Sequence, residues 1–527
     1  MPAWMRHHAD MDADAIIKLV SWNDRAIGAT VENIFFENFL GPQAENHPTL
    51  QNAIQRILEW HSAWRRKFYP DDASLYPEMY MAPAEFFITL DHFLKRLEQQ
   101  PPYFSPRYSA QMLKDPALSS VIGYLSVILT NPNNHAYEGG PVTTEMEMEV
   151  VDDLLKLCGL QKGWGHLCSG GSLANTEALW AVRDTYIRKF KKPGQVLFSK
   201  MSHYSWKRIC SILMIPHYVE IPADIHFRMD LDKLETVLKK KPTMMVVANI
   251  GTTGCGAVDN VEGILALRNK YKFHLHLDAA YGGYTRSILL NEDGEIQDFN
   301  EVGHILKRDV YQSLIAMKEA DSITIDPHKQ GSTGYGCGAV LYKDERLKKV
   351  ILNTAPYTYH VKNKPNIGMF TLEGSRPGAV AAGCWLTHRM IPLHRNGYGK
   401  IIGECLLTAK ELSERIEKES GFTPLNQPDL DIFCFYQMPS ERPASLTKMN
   451  QINQDHYENF SVLNPESKFI LSKFVMDKRT VRTILPKIKR DDRQLVALRS
   501  VFIKHWLRMG RPSYIDRLLE TLKNNLK

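Results

Sequence analysis

The stretch Ser322-Ile-Thr-Ile-Asp-Pro-His-Lys-Gln-Gly-Ser332 decides how this chain is read. Ile323 to Ile325 is a short apolar run closed by Asp326-Pro327, which predicts a buried strand ending at the proline. That strand presents His328 and Lys329 at its tip. Lysine is rarely buried, and a strand end entering a Gly-rich loop is where α/β folds place ligands. A lysine in a partly dehydrated pocket loses its proton more readily and becomes a nucleophile towards carbonyls. Taken alone, Lys329 reads as a snorkelling surface lysine sooner than as a nucleophile. Its surroundings have to decide.

Outward from this stretch, residues 144 to 393 alternate helix and strand. Helices are expected over Glu145 to Cys158, Leu173 to Lys189, Leu231 to Lys239 and Val261 to Tyr271. Strands are expected at Val196 to Ser199, Met244 to Asn249, His274 to Leu277 and Gly338 to Tyr342, with a long apolar segment around Ile209 to Val219. Repeated units with apolar strands mean an α/β domain around a mostly parallel sheet, whose ligands lie at the strand ends. The Gly-rich turns Ser169 to Ser172, Gly251 to Gly256 and Asp278 to Gly283 all fall at strand ends or helix starts.

Before this region, Ala15 to Phe39, Leu50 to Phe68 and Pro83 to Leu97 carry apolar residues at helical spacing. Such an arm either packs on its own core or covers its apolar face with a second subunit. After it, Lys400 to Lys418 reads as a helix, and Ile432 to Gln437 and Phe469 to Phe474 as strands. The division expected is a helical arm over 1–110, a large α/β domain over 111–393 and a smaller α/β domain over 394–527.

Composition narrows the class. A chain of 527 residues exceeds one compact core. Its 44% apolar and 24% charged content is that of a soluble globular protein. A net charge of +6 is small for this length and does not suggest nucleic-acid binding; the basic stretch Lys478 to Arg493 reads as a solvated loop or helix face. Eight scattered cysteines without a C-x-x-C pair argue for reduced thiols in a cytoplasmic protein, and against a zinc site. Met1 to Asp14 has no apolar core of a secretory signal, and no run of about 18 apolar residues is long enough for a membrane span.

Several residues together form a chemical constellation. Pyridoxal 5'-phosphate needs a lysine for its aldehyde, an acid for its ring nitrogen, a phosphate cradle, contacts to both ring faces and a proton donor. Lys329 is the candidate for the Schiff base. Asp278, after the apolar strand 274–277, is the candidate acid; alone it reads as an N-cap or surface aspartate. Ser169-Gly-Gly-Ser172 precedes a helix whose N-terminal N–H groups can cradle a phosphate, although a Gly-Gly turn is a weak signal by itself. His203, after strand 196–199, and Thr252, in Gly251-Thr-Thr-Gly254, have plainer readings as a structural histidine and a turn threonine.

Asp326-Pro-His-Lys329 resembles the cofactor-lysine motif of the group II pyridoxal-dependent amino-acid decarboxylases, which include the glutamate, aromatic-amino-acid and bacterial tyrosine decarboxylases. His276-x-Asp-Ala-Ala-Tyr-Gly-Gly283 is similar to a second motif of that family. Ser105-Pro-Arg-Tyr108, Asn133-Asn-x-Ala-Tyr-Glu138 and Met146-Glu-Met-Glu-Val150 resemble its bacterial tyrosine-decarboxylase branch in particular. The resemblance implies a fold of the aspartate aminotransferase type (fold type I) and a homodimer. It implies that Ala280 lies against one ring face and His203 against the other. It places Gly171, Ser172 and His328 at the phosphate and Thr252 near the ring hydroxyl. It supplies the proton donor from a loop downstream of the lysine, here Asn353 to His360, with Tyr357 after its proline, Tyr359 close by, and Tyr335 near the substrate. His203 is the other candidate to support reprotonation.

The function expected is decarboxylation of an L-amino acid to its amine, tyrosine first. The alternatives are glutamate or another acidic amino acid, a carbon–carbon lyase or aldehyde-forming enzyme with the same cofactor, and a catalytically silent scaffold.

Overall fold

The computed structural model describes residues 33–75, 83–354, 359, 364–441 and 443–526. Its larger sheet contains β1 (Trp164–Cys168), β2 (Gln195–Ser199), β3 (Tyr218–Ile221), β4 (Thr243–Asn249), β5 (His274–Asp278), β6 (Ser322–Ile325) and β7 (Gly338–Tyr342), in the order β1-β7-β6-β5-β4-β2-β3. β3, β2, β4, β5 and β6 pair in parallel, whereas β7 runs antiparallel to both β6 and β1. The carboxyl ends of β1, β2, β4, β5 and β6 therefore share one edge of the sheet.

The strands are apolar because both faces are covered. Along β2, Val196 and Phe198 join one buried cluster with the helix Gly171–Phe190, through Ala174, Ala178 and Val182. The intervening Leu197 joins the opposite cluster with Val246, Leu275, Leu277, Ile323 and Ile325. Period-two alternation here selects between two dry faces, not between core and water.

Two segments differ from expectation. The apolar run around 209–219 is not one element: the helix Ser205–Ile212 stops, Met214 takes φ 52°, and β3 begins after Pro216. Proline cannot continue a helix, and the left-handed residue turns the chain into the sheet. The turn before Ser172 is preceded by a full strand, β1, at the sheet edge. Glycine hides that strand by lowering its β-propensity, yet only glycine fits: a Cβ on Gly165 would lie 2.5 Å from the Val340 carbonyl. Trp164 compensates by stacking on Tyr342 at 5.8 Å between centroids.

A second, wholly antiparallel sheet follows the helix Tyr398–Ser420, with β8 (Thr423–Pro424), β9 (Ile432–Tyr436), β10 (Ser472–Asp477) and β11 (Gln494–Val501) in the order β10-β11-β9-β8. That helix belongs to both cores: Ile401, Ile402 and Leu406 pack below the large sheet, and Leu412 and Ile416 against the small one. β10 starts later than Phe469, because Ile470 instead bridges to Tyr108 and accepts from the Ser109 N–H at 2.9 Å. The basic stretch forms the short helix Lys478–Ile484 and a turn, anchored by buried Val481 and Ile488. All eight cysteines are buried and unpaired.

Of the expected 15–39 helix, the described part is Asn33–Glu37, whose neighbourhood docks through Phe35 and Phe39 on His505. The next two helices run His47–Arg65 and Pro83–Leu97. No helix among the described residues is long and apolar enough to cross a membrane.

Because β7 returns directly beside β6, residues 326–337 form one tight connection at the functional edge. His328 N–H donates to the Cys337 carbonyl at 3.1 Å, Thr333 N–H to Pro327 at 3.2 Å, and a Cβ on Gly331 would sit 2.6 Å from both the Pro327 carbonyl and the Tyr284 ring. Gly331→Ala is expected to destabilise the protein by about 1–3 kcal/mol through overpacking. Urea unfolding with an unchanged midpoint would show that the loop has slack.

Candidate active site

The common edge gathers the candidates into one cavity of about 530 Å³. Gly171 and Ser172 follow β1, His203 follows β2, Thr252 follows β4, Asp278 ends β5 and Ala280 follows it, and His328 and Lys329 follow β6; all line it. Tyr335 stands at its wall, its ring 4.8 Å from that of His328.

Lys329 Nζ lies 2.9 Å from Asp326 Oδ2, and Asp326 is 2% exposed. Burial pulls the ammonium's pKa down, but the Asp326 carboxylate more than offsets it, so the net direction is up. In this state Lys329 is a held ammonium.

Asp278 is solvated by protein. Its Oδ2 accepts from Asn175 Nδ2 at 2.9 Å and from Trp206 Nε1 at 3.0 Å. Asn175 Oδ1 meets His276 Nε2 at 2.9 Å, and His276 Nδ1 meets Ser322 Oγ at 2.8 Å. Two side-chain donors from different helices thus converge on one carboxylate oxygen. Burial pushes His276 down to about 3, so it is a neutral link in this chain.

His203 Nδ1 accepts from the Ser205 N–H at 3.3 Å and contacts Ser205 Oγ at 2.8 Å, which leaves its proton on Nε2. Desolvation lowers its pKa, keeping the ring neutral. His328 uses Nδ1 on the Cys337 carbonyl at 2.7 Å and is likewise lowered by burial. Thr252 lines the cavity, and its hydroxyl also accepts from the Ala257 N–H at 3.0 Å, so it is a turn threonine as well.

The glycines of the cradle are contact glycines. A Cβ on Gly171 would meet Asp326 Oδ2 at 2.9 Å and Ala280 Cβ at 3.0 Å, and one on Gly338 would meet Gly170 Cα at 2.5 Å. The helix starting at Gly171 directs its first, internally unpaired N–H groups to this side. Tyr357 lies outside the described residues. Tyr359 is placed on His135, hydroxyl to Nε2 at 2.8 Å, with φ 65°.

Sequence reasoning missed Asn175, Trp206, Arg208 and Arg499. Asn175 sits one turn into the cradle helix, and Trp206 opens the helix after β2; both read as ordinary helix residues. Arg208 lines the cavity with its guanidinium over the Tyr204 ring at 5.2 Å. Arg499, a buried cation in the apolar run of β11, donates to the Thr253 and Gly254 carbonyls at 2.8 Å and so braces the Thr252 turn. An arginine inside an apolar strand was its only signal.

The neutral His276 has a stability consequence. Its folded pKa is depressed below the unfolded value, so the unfolded chain binds the extra proton and stability falls as pH drops from about 6.5 towards 3. Between pH 6.5 and 5 this one group removes about 1.5 kcal/mol. His276→Gln, which keeps hydrogen bonding but not titration, is expected to lose correspondingly less over that interval; equal losses in urea titrations at the two pH values would rule out His276 as the source.

Residues 102–294 and 298–438 match the pyridoxal-dependent decarboxylase conserved domain. The chain is 31% identical to an L-tyrosine decarboxylase of Enterococcus faecium over 82% of its length and 87% of that protein. It is 28% identical to an L-aspartate decarboxylase of Thermococcus kodakarensis over 60% of this chain and 75% of that one. Among solved structures, Oryza sativa TDC with PLP and tryptamine superposes with a TM-score of 0.70 at 16% identity, covering 90% of this chain and 97% of that one. The architecture is accordingly fold type I, and a family match over more than half of the chain, with a relative 31% identical over 82% of it, makes this chain a member of the pyridoxal-dependent decarboxylase family.

Proposed function

We propose that the protein decarboxylates an L-amino acid with pyridoxal 5'-phosphate held in the 530 Å³ cavity. The observation that carries this reading is the convergence, on one sheet edge, of a strand-end lysine, a donor-held carboxylate and a glycine-lined helix N-terminus. These are the parts the cofactor requires, and the cradle is one that any Cβ would fill. Lys329 would take the aldehyde carbon, Asp278 the ring-nitrogen proton, and Gly171, Ser172 and His328 the phosphate. Ala280 and His203 would face the ring, and Thr252 its hydroxyl. Bound there, the cofactor supplies an electron sink for the bond to the departing carboxylate.

The chain's own residues manage protons. Asn175 and Trp206 fix the Asp278 carboxyl in place, where it would hold a proton on a ring nitrogen. Tyr357 is assigned as the donor to Cα, with His203, carrying its proton on Nε2, as support. For the substrate, a second cavity of about 310 Å³ shares Tyr335 with the first and is lined by Val121, Tyr124, Leu125 and Val380. An apolar annex favours an aromatic side chain, with tyrosine the first choice. Arg208, a cation on the cavity wall, favours instead an acidic side chain as the second reading.

Carbon dioxide release from each of the common amino acids, with product analysis, tests the activity and separates the two substrates; a non-amine product would indicate a lyase or aldehyde former. Lys329→Ala is expected to abolish turnover, and Asp278→Asn to lower kcat/KM by on the order of 10²-fold or more, because a neutral amide no longer stabilises the ring-nitrogen charge. Borohydride reduction followed by peptide mass mapping should place the cofactor on Lys329; its recovery on another lysine refutes the assignment.

We further propose a cytoplasmic homodimer. Eight buried free thiols suit a reducing compartment. The helix Pro83–Leu97 buries none of its side chains against the described residues, and Phe86, Phe87, Ile88, Phe93 and Leu94 are exposed on it. Light scattering should report twice the chain mass, and Phe87→Asp with Phe93→Asp should shift it towards the monomer. A monomeric parent protein would overturn the dimer.

A further inference from the structure

Lys478 to Arg493 holds seven lysines and arginines against two aspartates, so one surface segment carries five of the chain's six net positive charges. Everything outside it is close to neutral overall. Its backbone is fixed: Val481 and Ile488 are buried, Lys478 N–H donates to the Arg493 carbonyl at 2.9 Å, and Arg490 returns to the Pro486 carbonyl at 3.1 Å. Lys478, Arg482, Lys487, Lys489 and Arg493 are exposed. The two aspartates are committed to the start of the helix Leu446–Asn459. Asp491 accepts from the Thr447 N–H at 3.0 Å and the Ser445 hydroxyl at 2.9 Å, with Lys489 beside it at 3.4 Å, and Asp492 accepts from Asn450 Nδ2 at 2.8 Å. Among the described residues no carboxylate pairs with Lys478, Arg482 or Lys487. Like charges this close repel one another, so they add nothing to the fold's stability.

Two contacts put this segment beside the cavity. Asp477, the residue before it, forms an ion pair with Lys200, and Lys200 opens the turn that brings His203 to the cavity wall. The three residues from Lys200 to His203 span at most about 11 Å. Further back on β10, a Cβ on Gly254 would lie 2.6 Å from Phe474 Cε2, so this strand leans on the turn that supplies Thr252 and Thr253. The cavity itself attracts no anion from a distance. Arg208 and Lys329 line it together with Asp278 and Asp326, and these formal charges cancel. The N–H groups of the helix start at Gly171 act only within about one turn. A field that reaches past the mouth has to come from outside the cavity, and the basic segment supplies it.

We propose that Lys478 to Arg493 is an electrostatic funnel for a phosphate ester: it speeds the arrival of the pyridoxal 5'-phosphate dianion at the cavity and takes no part in holding it once bound. The inference rests on the cofactor reading above and adds how the site is filled. The phosphate is the group that selects this ligand class, because it carries the charge and is the end that has to reach the cradle. Steering of this kind raises association rates by about 10- to 1,000-fold and fades as salt screens it. At about 10 mM salt the Debye length of about 30 Å spans the way from the segment to the mouth, whereas at about 1 M it shrinks to about 3 Å.

Stopped-flow mixing of the full-length apoprotein with 4-deoxypyridoxine 5'-phosphate, which has the phosphate but no aldehyde, reads association through tryptophan fluorescence without a covalent step. At about 10 mM salt the triple variant Lys478→Glu, Arg482→Glu, Lys487→Glu is expected to associate about tenfold more slowly than the parent protein, with its dissociation rate unchanged. The difference should vanish at about 1 M salt. Equal association rates at low salt, or a change confined to dissociation, overturn the proposal. So does an equal slowing of 4-deoxypyridoxine, which lacks the phosphate, because the segment would then act on access and not on charge. Glutamine at the same three positions removes the charge without reversing it and should give a rate between the two; a rate equal to the parent's overturns the proposal even if the glutamate variant fails to fold. Absence of binding by either ligand to the parent protein would instead overturn the cofactor reading, a distinct outcome.

Discussion

A carboxylate at the end of a buried strand is tolerable only if donors are already in place for it, and the solvation of Asp278 is the constraint around which this cavity is built. Its two donors come from different helices, Asn175 from the one that starts at the cradle and Trp206 from the one that follows β2. Asn175 is oriented in turn by His276 on β5, and His276 by Ser322 on β6. The same hydrogen-bonded chain therefore registers the Gly171 helix start, Asp278 and the lysine strand to one another. A histidine suits the link because burial leaves it neutral, able to donate from one nitrogen and accept at the other.

The antiparallel return of β7 is the second determinant. Had the chain left β6 by a crossover helix, as after β2, β4 and β5, the lysine loop would have been free to travel away from the edge. Instead Asp326 to Cys337 must close over a fixed distance, and its own N–H groups are tied to Asp326, Pro327, Lys329 and Cys337. Packing then leaves room only for glycine where Gly170 and Gly338 touch and where Gly331 passes under Tyr284. The chemistry-bearing side chains are exposed to the cavity on a backbone that has little freedom to move, which is the arrangement preorganisation requires.

Much of this was legible in the sequence because it is local. The strand-end lysine, the strand-end aspartate and the Gly-Gly helix start each carry their signal in a few adjacent residues, and the parallel sheet follows from alternating apolar runs. β1 was not legible, because Gly165 and His166 weaken a strand whose burial comes from Glu177 on the next helix and from Tyr342, far along the chain. The break at Met214 was hidden inside apolar residues, where periodicity cannot tell two short elements from one. Asn175 and Trp206 were missed because their role exists only once Asp278 is brought to them. Tyr359, two residues beyond Tyr357, has its hydroxyl placed on His135, a choice no spacing rule reveals.

The second sheet is also part of the cavity, though not by lining it. Tyr281, next to Ala280, donates its hydroxyl to Asp431 at 2.7 Å, beside β9, and burial pushes that carboxyl up to about 6 despite the hydrogen bond. Arg499 on β11 reaches across to the carbonyls of Thr253 and Gly254. One brace holds the turn carrying Ala280 and the other the turn carrying Thr252, so both turns are held from the C-terminal part of the chain. The region that matches the family ends at residue 438, before Arg499. A buried guanidinium bonded to backbone carbonyls is costly to desolvate and is retained only where its geometry is used. The matched region therefore contains every residue that lines the cavity, while Arg499, beyond it, braces one of the turns that carry them.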